Sequence, residues 1–169
     1  MRRNTRAIIG GIAGALALAG CSTDNAPAAP AAGNPATTVS ARDIAGVGTI
    51  LVTSAGDALY FADQESSGSI HCVDACVRIW MPLTIGTGQA ATAGTGVGGR
   101  LATVTRPDGP AQVTYDGKPL YTFAPDGGPG HADGNGVTDN FNNTQFQWHA
   151  ATVSGSAAPA TGGGDGYGY

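Results

Sequence analysis

Residues 113–126 read V-T-Y-D-G-K-P-L-Y-T-F-A-P-D, and this stretch constrains the fold more than any other. Val113 and Tyr115 alternate with polar neighbours. Asp116-Gly117 is a pair that readily takes the positive φ angles of a two-residue hairpin turn, and Leu120 to Phe123 supplies a returning strand. The pattern occurs once before. Val52-Thr53 matches Val113-Thr114, Gly56 matches Gly117, and Leu59-Tyr60 matches Leu120-Tyr121, all at an ungapped offset of 61 residues. Beyond the tyrosines the spacing diverges: Phe61 and Asp63 are shifted relative to Phe123 and Asp126, although Glu65 keeps an acid at the same offset. A hairpin repeated at one offset predicts a duplicated β unit.

The flanking residues extend the same reading. Thr49 to Thr53 and Ala58 to Ala62 form the strands of the first hairpin. Leu101 to Arg106 alternates as a strand, Pro107-Asp108-Gly109-Pro110 is a turn, and Ala111 to Tyr115 returns, so the second unit is a meander. Residues 86–99, rich in Gly, Ala and Thr, read as a flexible connector. Their glycines are not followed by the Lys-Ser/Thr of a phosphate loop. Phe146, Trp148 and Ala150 alternate with Gln147 and His149 in a final half-buried strand. Trp148 is expected to be the counterpart of Trp80. The fold class is therefore all-β: two pseudo-repeats, about 47–85 and 100–153, packed as one small sandwich or barrel-like domain spanning 45–153.

The ends differ in composition. Arg2, Arg3 and Arg6 precede an apolar run from Ala7 to Ala19. That run is shorter than the roughly 20 residues a membrane-spanning helix needs, and it has the length of a signal-peptide core. It closes on Leu18-Ala19-Gly20-Cys21. Small residues before a cysteine at this distance from a basic start resemble the lipobox of bacterial lipoproteins. The resemblance implies a signal peptide over 1–20, with diacylglycerol on the Cys21 thiol and cleavage just before it. More than one acyl chain is needed for stable anchoring, at about 0.8 kcal/mol per buried CH₂. Ser22 to Arg42 carries almost no large apolar side chain, and residues 21–44 are expected to be a disordered tether, with a second disordered segment over 154–169.

Removal of the three N-terminal arginines leaves five basic residues (Arg42, Arg78, Arg100, Arg106 and Lys118) against twelve acids, a formal charge of −7. No basic stripe remains, so nucleic acid is excluded as a partner, and charge alone would not hold the chain on anionic lipid.

With Cys21 assigned to lipid, Cys72 and Cys76 remain, an even number in an exported chain. A structural disulfide is expected, closing a small loop and contributing about 2 kcal/mol in the chain-entropy model. The alternative is a redox-active or metal-binding set, because two thiolates and His71 form a soft ligand set suited to copper. Asp126, Asp133, Asn135 and Asp139 lie in a glycine-rich segment, 126–143, that includes part of a calcium-loop pattern without its remaining ligands. It reads as a surface loop, with His131 exposed.

Taken in order, several motifs resemble one family. They are Arg106-Pro-Asp-Gly109, Gln112-Val-Thr-Tyr-Asp-Gly117, and Tyr121-x-Phe123-x-x-Asp126, together with a C-x-x-x-C followed by Trp and Pro, and a terminal Trp. The set is similar to the predicted bacterial lipoproteins with a Y-x-[FWY]-x-x-D motif, also described as a secreted repeat of unknown function, over about residues 48–153. The chain departs from that pattern at Trp80-Met81-Pro82, where Trp-Pro-Pro is frequent, at Tyr60-Phe61-Ala62-Asp63, and at the inserted residues 142–147. The resemblance marks Tyr121, Phe123 and Asp126 as a family-motif surface, and it brings no assigned activity.

The expected function is that of a monomeric, non-enzymatic envelope module. It would be anchored on the extracytoplasmic face through Cys21, bind or scaffold an envelope ligand or protein, and carry no cofactor beyond its lipid. A redox or copper-handling protein using His71, Cys72 and Cys76 is the alternative. His71, His131 and His149 are scattered and no nucleophile motif is present, which argues against a hydrolase.

Overall fold

The computed structural model describes residues 37–159. The proposed signal peptide (1–20), the lipidation site Cys21, most of the tether and the end of the tail (160–169) lie outside the described residues.

Among those residues the regular structure is all β apart from two single 3₁₀ turns, Asp63–Glu65 and Cys76–Arg78. Strands β1 (Thr38–Ile44) and β2 (Gly48–Thr53) pair antiparallel, and the two-residue β5 (Thr92–Ala93) lies parallel to β1. The centre is a five-stranded sheet. Its order is β10 (Thr138–Phe141), β11 (Thr144–Ala150), β3 (Tyr60–Ala62), β9 (Tyr121–Phe123), β4 (Trp80–Pro82). A third sheet holds β6 (Leu101–Val104), β7 (Gln112–Tyr115) and β8 (Lys118–Pro119), the meander that the turn chemistry predicts.

Backbone hydrogen bonds join the three sheets into a barrel-like wall. Leu59 donates to Leu51, Leu51 to Ala151, and Ala151 back to Leu59. An identical ring recurs elsewhere: Leu120 donates to Val113, Val113 to Leu83, and Leu83 back to Leu120. Leu59 and Leu120 are 61 residues apart. Leu83 and Ala151 each stand three residues after a tryptophan. Trp80 faces Phe123 and Pro82 faces Tyr121, just as Trp148 faces Ala62 and Ala150 faces Tyr60. Between these strand pairs, Tyr60 is the direct antiparallel partner of Tyr121. The Trp-bearing strand on each side therefore pairs with the Tyr-bearing strand in the same register.

The hairpins themselves differ. Asp116 and Gly117 both have positive φ (49° and 84°) in a two-residue turn between Tyr115 and Lys118. The first hairpin needs a longer loop, with Gly56 at φ 96° and Val52 bridging Ala58. A constant offset therefore holds for the tyrosines and not for the turns.

Three segment boundaries need correction. β1 occupies residues assigned to the disordered tether, so the folded part extends back at least to Thr38. Val39 is fully buried and Ile44 nearly so, and the strand between them pairs along its length with β2. The connector 86–99 is pinned midway, where Gly94 donates to Val39 and Ala41 donates to Thr95. The tail begins later than 154, since Ala157 bridges Ala151 and Ala158 is buried.

Candidate functional site

The two tryptophans meet at the centre. Trp80 and Trp148 stack with ring centroids 3.9 Å apart and planes 7° from parallel. Phe123 extends the stack beyond Trp80 at 4.2 Å, and Phe146 beyond Trp148 at 5.5 Å. Each indole also meets a tyrosine edge-on, Tyr60 on Trp80 at 5.4 Å and Tyr121 on Trp148 at 5.1 Å. Such pairs contribute about 0.5–1.5 kcal/mol each beyond their buried area.

Every polar atom in this cluster has a carboxylate partner. Trp80 Nε1 donates to Asp139 Oδ2 at 2.8 Å, and Trp148 Nε1 donates to Asp139 Oδ1 at 3.0 Å. Tyr60 donates to Asp126 Oδ2 at 2.7 Å, and Tyr121 donates to Glu65 Oε2 at 2.6 Å. Glu65 stands 61 residues before Asp126, so each tyrosine reaches the acid that follows the other. Burial pushes the Tyr60 phenol far above its ordinary value, with Asp126 adding to the rise. Tyr121 is raised in the same way by burial and then by Glu65. Both phenols therefore keep their protons and act as donors. Burial also raises the Asp139 carboxyl, against the pull of the two indole N–H groups. Asp126 is raised by burial in spite of its bonds from Tyr60 and Asp133.

A second polar layer lies behind Tyr121. Glu65 Oε1 accepts the backbone N–H groups of His71 (2.5 Å) and Cys72 (2.7 Å). Arg106 is almost completely buried and donates to Cys72 O (2.8 Å), Gln112 Oε1 (2.6 Å) and both oxygens of Asp108. The Arg106 bonds hold the Asp108 carboxyl below its ordinary value. The sequence places Arg106 at the end of a strand and at the head of the Arg-Pro-Asp-Gly motif, with no role inside the core. A lone arginine gives no sign that it will be buried, and only the five-donor fork of the guanidinium explains how it can be.

Cys72 and Cys76 form a disulfide, and both are fully buried beside the aromatic stack. Neither sulfur offers a thiolate in this form, and His71 is an exposed residue. No group of three ligating side chains occurs among the described residues.

The family-motif residues are not a surface. Tyr121 is fully buried and Phe123 is 3% exposed, because both face the indole stack. Only Asp126 reaches partway to solvent. The segment 126–143 is likewise more internal than a surface loop. Asn135 accepts from Ala150 N and donates to Pro159 O, and Asp139 serves the indoles, so these oxygens are already engaged. His131 and Asp133 remain exposed. Gly134 is required by close approach. A Cβ there would lie 2.9 Å from Trp80 Cη2 and 3.0 Å from the Tyr60 ring.

Residues 102–152 match the family described as a secreted repeat of unknown function. The description supports an exported protein. The matched span contains Tyr121, Asp126, Asp139 and Trp148, and stops short of Tyr60, Glu65, Cys72 and Trp80. The secreted repeat thus supplies one side of the aromatic core, and residues before the match supply the other. No curated protein and no solved structure matches the chain. Among the described residues no helix is long and apolar enough to cross a membrane.

Proposed function

We propose that this is an exported, lipid-anchored, non-enzymatic module of the bacterial envelope, monomeric, that presents a rigid β domain to an envelope ligand or protein. One observation carries the reading. The groups with chemical potential in the motif and around it are spent on one another. No buried side-chain nitrogen or oxygen among the described residues lacks a partner. Tyr121, Phe123, Glu65 and Asp139 hold the core in place, which leaves recognition to the exposed loops. The acyl lipid on Cys21 is the only added group this reading needs, and the residues between Cys21 and β1 serve as the tether.

The test follows the full chain in a bacterial host by membrane partition and by the intact mass of the N-terminal peptide. Wild type should enter the membrane fraction with a diacylglycerol-bearing Cys21, and Cys21→Ser should be released in soluble form. A soluble wild type with an unmodified Cys21 thiol would remove the anchor. Intact mass with added copper(I) tests the metal-handling alternative. A one-to-one adduct that is lost in His71→Ala would put metal handling in place of the binding reading.

A further inference from the structure

Four oxidisable side chains touch in this core, and each donates its hydrogen bond to a carboxylate. Trp80 and Trp148 share Asp139, Tyr60 has Asp126, and Tyr121 has Glu65. The indoles stack at 3.9 Å, and the phenol rings contact them at 5.4 and 5.1 Å. Structural packing alone needs hydrogen-bond acceptors. It does not require that all four bonds end on carboxylates, here Asp139, Asp126 and Glu65, able to take the donor's proton.

We infer that the Trp80–Trp148 pair is a radical relay, which accepts an oxidising equivalent and passes it to Tyr60. The oxidant is a one-electron acceptor such as an oxygen-centred radical. It removes one electron from the indole pair and is itself reduced. The indole N–H proton moves to Asp139, leaving a neutral tryptophanyl radical. Tyr60 then gives one electron to that radical and its phenolic proton to Asp126, while the proton on Asp139 returns to the indole nitrogen. A one-electron donor of the quinol class reduces the tyrosyl radical, and the proton on Asp126 returns to the phenol. Each cycle moves one electron from the donor to the oxidant and leaves the protein unchanged, a redox turnover that goes beyond the binding module proposed above and would replace its non-enzymatic part.

The two tyrosine arms are not equivalent. Glu65 is fully buried and is also tied to the backbone of His71 and Cys72. Asp126 is only partly covered, and its second oxygen accepts from exposed Asp133. Tyr60 is therefore the arm that opens toward solvent, and Tyr121 is the sealed one.

The experiment is flash photo-oxidation of the full chain by a soluble ruthenium sensitiser with persulfate, read by transient absorption and electron paramagnetic resonance. A tryptophanyl signal should convert to a tyrosyl signal. Tyr60→Phe should lose the tyrosyl signal and leave the tryptophanyl signal standing, while Tyr121→Phe should retain the conversion. Asp126→Asn keeps the phenol and removes its base, so it should also lose the conversion and serves if Tyr60→Phe does not fold. A tyrosyl yield unchanged in Tyr60→Phe or in Asp126→Asn would overturn the relay. So would a folded chain that forms no tryptophanyl radical when the urea-unfolded chain does.

Discussion

Tyr60 and Tyr121 stand directly opposite each other in the central sheet, and each phenol bonds the acid that follows the other tyrosine. The contacts are reciprocal and their surroundings are not. Asp126 faces a partly open loop, whereas Glu65 is fully buried and tied to the backbone of His71 and Cys72. Removing the Tyr121 hydroxyl leaves a buried carboxylate one donor short, at a cost of about 1–3 kcal/mol. Tyr60→Phe should cost less, because water can reach Asp126. Urea unfolding of both variants checks the order. A double-mutant cycle of Tyr121→Phe with Glu65→Gln should give a coupling of about 0.5–3 kcal/mol.

Asp139 accepts from two indoles with its two oxygens, a task asparagine cannot perform. In Asp139→Asn the amide NH₂ would face one indole N–H donor to donor. The variant should lose about 1–3 kcal/mol of stability, with a changed near-ultraviolet circular dichroism from the displaced stack. Unchanged stability and spectrum would show that Asp139 does not organise the pair.

The disulfide closes a short loop whose Cys72 end is also held by hydrogen bonds from outside the loop. The Cys72 N–H donates to Glu65 and its C=O accepts from Arg106, and neither bond involves a sulfur. The double variant Cys72→Ala/Cys76→Ala should therefore still fold, with about 2 kcal/mol less stability. In the native protein a thiol reductant should open the bond only on the timescale of local unfolding. Thiol trapping at increasing urea checks this.

Titration should give a stability maximum in mild acid. Asp126 and Asp139 are raised by burial, so their contribution is fully present below the unfolded carboxyl value of about 3.9 and is lost as pH rises through their native values. Asp108 is lowered by Arg106, so its contribution is present above about 3.9 and is lost as pH falls through its lowered value. The melting temperature should fall on the alkaline side of the maximum, less steeply in Asp139→Asn. It should fall on the acid side less steeply in Asp108→Asn.

Local chemistry made the hairpins legible. Alternation and the Asp116-Gly117 turn act over a few residues, and both hairpins lie where those signals placed them. The pairing of the acids did not follow from the same signals, although Glu65 at the 61-residue offset was visible. Tyr60 and Asp126 are brought together only when β3 and β9 join, and nothing in either neighbourhood encodes that. β1 was missed because Thr38 to Arg42 carries small and polar side chains. Only Val39 and Ile44 turn inward, and the remaining stabilisation comes from the ladder with β2. β10 was missed for a related reason. Asp139 and Asn140 are poor strand formers, and the strand exists because Asn142-Asn143, at φ 50° and 62°, folds it back on β11. Trp80 and Trp148 each pair with a tyrosine-bearing strand in the same register, and this local match does not by itself make the two units copies of each other.

The exchange of strands across the centre has a consequence for proteolysis. β4 comes from before the exposed Thr87-Gly88 turn and pairs with β9 from after it, while β11 returns to pair with β3. A protease cutting after Gly88 would sever the polypeptide and leave both fragments locked together. The nicked molecule would elute as one species and separate only in denaturant, so an intact elution profile would be no proof of an intact chain.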